Sequence, residues 1–260
     1  DVAVAVAEGV AGSVEEFAKL MNKKAGEIGA VNTNFVTPNG LDAKGHFSTA
    51  YDMALIGAYA IKNQQFLKIT NTKSYSFYDC SNKRHIVVNN KDAFLNMSSD
   101  AIGIKTGFTG DAGYCFVGAV KSNNRVYVSC VLASGWPPNK TYKWRDTTKL
   151  MDYGKNNFDT KKILKNRISF PVNIENGTKK QIIAVAIGPY KALVSKNDTV
   201  EAKTEFNYEL PIKSGEKIGE VKLYINNQCV KKCKIEAVDS VEKYDFKYCF
   251  KKTLDYFIFQ

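Results

Sequence analysis

Lys105, Thr106 and Gly107 follow the short apolar run Ile102-Gly103-Ile104 and offer, within three residues, a fixed cation, a hydroxyl and an unobstructed backbone. At the end of a strand, that set can hold the carboxylate of an extended peptide laid along the strand edge. Lys105 would act electrostatically, Thr106 by a hydrogen bond, and Gly107 by letting the two backbones approach closely. Binding alone breaks no bond. Acyl transfer would also need a nucleophile, such as a serine at the start of a buried helix with a lysine one turn later on the same face. The chain contains Ser214-Gly-Glu-Lys217 and Ser240-Val-Glu-Lys243. The first lies in Pro211-Ile-Lys-Ser-Gly-Glu, a turn signal, and the second sits beside a charged stretch near the carboxyl end, so neither is read as catalytic. Ser122-Asn-Asn124 and Ser195-Lys-Asn197 are read as turns. Cys115 has no placed base, and Tyr-Cys-Phe-Val-Gly-Ala-Val reads as a core strand.

The elements that must position Lys105 are legible on both sides of it. Val14, Phe17, Leu20, Met21 and Ala25 define one face of a helix over residues 13–28, with Ser13 and Glu16 forming a capping box. Pro38 and Asn39-Gly40 force a turn. A second helix starts at Ser48-Thr49, with Asp52 placed to receive the N-cap amide, and runs to Ile61. Lys68 to Asn90 is read as a short hairpin with Tyr75, Phe77 and Tyr78. Beyond Lys105, residues 113–120 and 125–133 flank the Ser-Asn-Asn turn as an antiparallel hairpin continuing its strand. Residues 140–157 read as a helix through Tyr142, Trp144, Thr148, Leu150, Met151 and Tyr153. After Asn157-Phe158 the character changes: runs at 182–187, 190–194, 200–206 and 218–225, split by Gly, Pro and Asn-Asp turns, indicate a small all-β domain.

Lys-Thr-Gly resembles one of three signatures of the serine acyl-transferases that act on D-Ala-D-Ala peptides or penicillins, the others being S-x-x-K and S-x-N. The resemblance is broad. Asn32-Thr-Asn-Phe-Val-Thr-Pro-Asn-Gly-Leu-Asp42, then Ser48-Thr-Ala-Tyr-Asp52 with an apolar helix, then Gly103-Ile-Lys-Thr-Gly-Phe-Thr109 with Ala112-Gly113 close behind, is similar throughout to low-molecular-mass penicillin-binding proteins of the D-alanyl-D-alanine carboxypeptidase family. Gly40, Thr49 and Asp52 are read as a turn and a helix cap only. The resemblance implies the C-terminal part of a β-lactamase-like transpeptidase domain, an antiparallel sheet with helices, over residues 1–158. A β-sandwich over 159–240 and an amphipathic membrane-proximal tail over 241–260 follow. It further implies that the chain begins just after its own S-x-N, so that the nucleophilic serine and its lysine lie elsewhere, with a second chain as one way to supply them. By the same resemblance Lys105, Thr106, Gly107 and Thr109 bind substrate, and the backbone NH of Phe108 forms half of an oxyanion hole. Family members often carry His at that position; Phe108 keeps the backbone role and departs in its side chain.

Composition narrows the alternatives. The chain has 260 residues, 44% apolar and 12% aromatic, enough for one large or two ordinary domains with cores. The net charge of +11 favours anionic partners, yet the lysines are scattered, which is read as a solvated basic surface and not a nucleic-acid site. No apolar run approaches the length of a spanning helix. Six cysteines are too widely spaced for a dense disulfide framework. Cys229 and Cys233, with no Cys or His pair nearby, are expected to be small buried hydrophobes on one face of a strand, so no metal and no cofactor are expected. Residues 243–260 interleave aromatics with lysines, the pattern of a segment lying in an anionic membrane interface. Two function classes stay open. One is a serine carboxypeptidase that removes the terminal D-Ala of peptidoglycan stem peptides, is acylated by β-lactam antibiotics, and sits on the outer face of the cytoplasmic membrane. The other is a non-catalytic wall-binding or structural module retaining only the Lys-Thr-Gly half-site. As a piece on its own, the 260-residue chain is expected to be inactive.

Overall fold

A computed structural model describes residues 1–258. The chain divides into two units, Asp1–Asn156 and Asn157–Gln260. The first carries α1 (Val2–Ala11), α2 (Val14–Ile28), α3 (Ala50–Ala60), α4 (Gln64–Thr70), β1 (Ser74–Tyr78), β2 (His85–Asn89), α5 (Phe94–Met97), β3 (Ala101–Thr109), β4 (Gly113–Ser122), β5 (Arg125–Val131) and α6 (Tyr142–Asn157).

Short polar side chains start the two helices foreseen from sequence. Ser13 accepts the Glu16 N–H at 3.1 Å, and Thr49 accepts the Asp52 N–H at 3.1 Å. β3, β4 and β5 form a three-stranded antiparallel sheet in that order, which leaves β3 at an edge. Ser122 pairs with Arg125, and Asn123 and Asn124 both take positive φ, 51° and 60°, as a two-residue primed turn requires. Alternation along β4 splits its side chains between two layers. Phe116 and Val120 pack with Phe94, Leu95, Trp144 and Met151 on the α5 and α6 side. Val117 and Ala119 pack with Ile104, and against Met53 of α3 and Phe66 of α4, on the other.

Helix α6 forms where expected, but its buried positions are Lys143, Trp144, Thr147 and Met151, whereas Leu150 and Tyr153 are exposed. The inner face of this helix therefore joins Lys143 and Thr147 to Trp144 and Met151, with Thr147 rather than Leu150 lying against the sheet at Gly118.

The loop between α2 and α3 is pinned by polar side chains. Asn22 both donates to the Phe35 carbonyl, at 2.8 Å, and accepts the Phe35 N–H, at 2.7 Å. Asp52, 1% exposed, accepts the Asn32 N–H and the Thr33 hydroxyl, each at 2.7 Å.

The second unit carries β6 (Phe158–Leu164), β7 (Arg167–Asn173), β8 (Gln181–Ile187), β9 (Tyr190–Ser195), β10 (Val200–Phe206), β11 (Lys217–Ile225), β12 (Gln228–Ala237) and α7 (Phe246–Ile258). A five-stranded sheet ordered β10-β11-β12-β8-β7 and a β6-β9 pair enclose a core that includes Ile182, Ile218, Leu223 and Ile235. Val241 is fully buried in that core, and Lys243 bridges to Gly177, so the β structure runs past residue 240, where the tail was expected to begin. Cys233 is buried but Cys229 is exposed. The expected common face is lost because the β11–β12 register shifts between Leu223 and Tyr224, which inserts a residue on β12 between the two cysteines.

Asp52→Ala removes a buried acceptor of two hydrogen bonds and is expected to destabilise the chain by about 2–3 kcal/mol in urea unfolding. A change under 0.5 kcal/mol would show that the loop is held by other contacts.

Candidate active site

The site is built on β3. Between Ala101 and Ile104 the β3–β4 register shifts, and Gly103 in the bulge has φ 112°, a conformation costly for other residues. A Cβ there would also lie 3.0 Å from the Thr70 side chain of α4. The bulge sets the register in which Lys105 pairs with Val117, Thr106 with Phe116, Gly107 with Cys115 and Phe108 with Tyr114.

The far end of β3 is tied down at several points. The Thr109 hydroxyl donates to Asp42 Oδ1 at 2.9 Å and accepts the Ala112 N–H at 3.0 Å, so it is engaged in holding the loop. Trp136 Nε1 donates to the Gly110 carbonyl at 2.7 Å. Gly113, at φ 70°, lets the chain lie against the Trp136 ring, which a Cβ would meet at 2.9 Å. The rings of Phe108 and Tyr114 meet at 4.4 Å.

Lys105 is exposed, and its Nζ donates to the Thr106 carbonyl at 2.6 Å. Thr106 is half-buried and Gly107 exposed. A Cβ on Gly107 would meet only Cys115, at an ordinary 3.7 Å, so folding does not require glycine there. Because β3 is an edge strand within its sheet, backbone groups on its outer side are open to another extended chain.

Two charged groups near this strand carry no signal in the sequence reading. Lys143, at the start of α6, is 8% exposed, and its Nζ lies 4.6 Å from the Tyr114 ring centre and 4.8 Å from that of Trp144. Burial pushes its ammonium below the ordinary lysine value, against the pull of Cys115 and Asp92. Asp92 is 2% exposed; its Oδ1 accepts the Phe94 N–H at 3.0 Å and its Oδ2 has no hydrogen-bond partner. Burial pushes its carboxyl up to about 6, opposed by the Phe94 N–H and the Lys143 cation. A Lys-Trp-Arg run opening a helix was the available hint for Lys143; its burial depends on contacts with β4 that are distant in sequence.

The two serines followed by lysine at the third position, Ser214 and Ser240, lie in the second unit. Ser214 donates its hydroxyl to the Val238 carbonyl at 2.7 Å, and the Ser240 hydroxyl accepts the Ser214 N–H at 2.9 Å. Neither opens a helix. Among the described residues, no cluster of three or more His, Cys, Asp or Glu side chains could hold a metal.

Residues 1–135 match the D-alanyl-D-alanine carboxypeptidase family, and residues 158–243 match the C-terminal domain of penicillin-binding protein 5. The chain is 30% identical over 260 residues to the D-alanyl-D-alanine carboxypeptidase DacF of Bacillus subtilis, covering 98% of this chain and 66% of the relative. It is 33% identical over 253 residues to DacA of Haemophilus influenzae, covering 93% and 61%. The chain thus spans a little under two thirds of these relatives. Among solved structures, penicillin binding protein 5 of Haemophilus influenzae aligns with TM-score 0.63 and 29% identity over 92% of this chain and 70% of that one. DacD of Francisella tularensis aligns with TM-score 0.69 over 93% and 71%, at 22% identity, a likeness of fold.

Asp92→Asn keeps the acceptor for Phe94 and removes a carboxylate that the folded state disfavours. A raised native value means that stability falls as pH rises from about 4 to about 6, so the variant is expected to be more stable by about 1–3 kcal/mol at pH 7.5. The gap should close toward pH 4 in thermal unfolding across pH. A pH-independent gap would contradict the assignment.

Proposed function

The chain belongs to the D-alanyl-D-alanine carboxypeptidase family, and from that premise we propose that it forms the substrate-carboxylate and oxyanion wall of a serine carboxypeptidase acting on peptidoglycan stem peptides. The observation that carries this reading is β3 itself: an edge strand, braced at both ends, that presents Lys105, Thr106 and Gly107 beside the backbone of Phe108. A peptide ending in D-Ala-D-Ala lies along that edge. Its terminal carboxylate meets the Lys105 ammonium and the Thr106 hydroxyl, a charge-assisted pair stronger than a neutral one. Gly107 lets its backbone come close. Two positions along, the Phe108 N–H points at the scissile carbonyl oxygen and donates to the negative charge that develops there as an acyl-enzyme forms. Thr109 acts indirectly, by fixing this end of the strand through Asp42.

The serine that attacks and the lysine that assists it are not among the candidates in this sequence, since Ser214 and Ser240 are bound into turns of the second unit. Within these residues the site is therefore a binding half, and a nucleophile must be brought to Phe108 by chain outside them, in the same polypeptide or in a second one. β-Lactams, whose ring carbonyl and carboxylate mimic the terminal dipeptide, would use the same wall and the same nucleophile.

A peripheral membrane location is supported by α7. Asp245 caps it, accepting the Tyr248 N–H at 2.9 Å, and no residue of the helix is buried. Phe246, Phe250, Leu254, Phe257 and Ile258 are exposed among Lys247, Lys251 and Lys252. Among the described residues no helix is long and apolar enough to cross a membrane. An amphipathic helix of this kind lies in an anionic headgroup layer, placing the enzyme peripherally on the outer face of the cytoplasmic membrane. Removal of residues 243–260 should abolish co-sedimentation with anionic vesicles; unchanged binding would sink the anchor.

For the site, Gly107→Ala should leave thermal stability within about 0.5 kcal/mol, while Lys105→Ala and Gly107→Ala each weaken binding of acetyl-Lys-D-Ala-D-Ala by tenfold or more. Fluorescent penicillin should leave no covalent adduct on the 260-residue chain. Labelling would place the nucleophile within it, and peptide affinity indifferent to Lys105 would overturn the carboxylate role.

A further inference from the structure

Beside Thr106 lies a cavity of about 960 Å³ whose wall carries Lys91, Lys140, Lys143 and Arg145, together with Thr106 and Tyr114. Arg145 is matched, with its Nε 3.0 Å from Asp146 Oδ1. The side chains of Lys91, Lys140 and Lys143 have no acceptor or ion-pair partner among the described residues. For Lys91 and Lys140 this is ordinary, because they are exposed. For Lys143 it is not. An ammonium this buried loses most of its hydration, and the two aromatic rings that face it, with the electrostatic pull of Cys115 and Asp92, return only part of that. A buried cation aimed into an open cavity, with two more cations at the rim and the first turn of a 16-residue helix forming part of the wall, is an arrangement that an anion completes.

One terminal carboxylate does not account for these charges, because Lys105 and Thr106 already meet it. The position of the cavity points to the rest of the same ligand. Thr106 belongs to both walls, and Tyr114, which lines the cavity, pairs with Phe108. The cavity therefore accompanies β3 from the level of the terminal carboxylate to the level of the scissile carbonyl. In an extended peptide the residue before the terminal dipeptide lies about 7 Å upstream of the last residue, and a side chain of glutamate length reaches off the strand from there.

Resting on the reading of β3 given above, we propose that this cavity is a second anion subsite, selecting substrates in which the residue before D-Ala-D-Ala carries a free side-chain carboxylate over those in which that group is amidated. The source favoured is a peptide and not a polyanionic wall polymer, because the cavity shares Thr106 with the peptide edge and ends beside Phe108.

The test compares acetyl-Glu-D-Ala-D-Ala with acetyl-Gln-D-Ala-D-Ala, equal in shape and different by one charge, titrated into the full chain at low salt. The carboxylate peptide is expected to bind about tenfold more tightly, which corresponds to about 1.4 kcal/mol, with the preference falling as salt rises. Lys143→Met should erase the preference. As burial of Lys143 puts folding of that variant at risk, Lys91→Gln with Lys140→Gln, both exposed, should cut the preference severalfold while leaving the Gln peptide's affinity unchanged. Equal binding of the two peptides overturns the subsite and leaves the carboxypeptidase reading standing; failure of both peptides to bind overturns both readings. A glycerol-phosphate oligomer that binds in a Lys143-dependent way, with no preference between the peptides, overturns it in favour of a polymer.

Discussion

On the function proposed, Lys105, Thr106 and Gly107 receive a peptide only while the outer edge of β3 stays free and both ends of the strand stay fixed. An unpaired edge has little to hold its register on one side, and here the constraint comes from elsewhere in the first unit. At the start, the Gly103 bulge seats the strand against Thr70. At the end, Asp42 takes the Thr109 hydroxyl, and Trp136 both donates to Gly110 and backs Gly113. Asp42 is in turn placed by a loop that Asn22 and Asp52 pin to the helices. A chain of ordinary hydrogen bonds, each worth about 1 kcal/mol, thus converts helix packing into the position of one backbone N–H, that of Phe108.

The same loop shows how a stretch that resembles the family can serve the proposed site by position. Residues 32–52 carry one of the longest runs of family resemblance in the chain, yet their polar side chains are spent on each other. Asp52 holds Asn32 and Thr33; Thr49 caps α3; Asp42 reaches the end of β3. Their contribution to chemistry is positional, and it operates through Thr109.

Much of this was legible in sequence because it is local. Ser13, Thr49 and the Asn123-Asn124 turn announce themselves by residue type, and the Lys-Thr-Gly strand with its following hairpin is a matter of alternation. What sequence could not supply depends on partners far along the chain. Lys143 reads as a solvated charge until Tyr114 and Trp144 are seen enclosing it. Asp92 carries no signal until its burial and its unpartnered second oxygen are seen. The helix over 140–157 was legible, but its inner face was not, because Thr147 and Lys143 lie inward while Leu150 and Tyr153 are exposed. Cys229 was misplaced because a bulge on β12 reverses alternation within a strand.

The most direct measurement follows backbone amide resonances of the 260-residue chain during titration with acetyl-Lys-D-Ala-D-Ala and with its L-Ala-L-Ala diastereomer. The expected result is saturable shifts for the D,D peptide that are largest at the amides of Thr106 and Phe108, absent for the L,L peptide and lost in Lys105→Ala. Shifts of equal size for both diastereomers, or shifts centred outside β3 and its flanking loop, would contradict the role assigned to this strand.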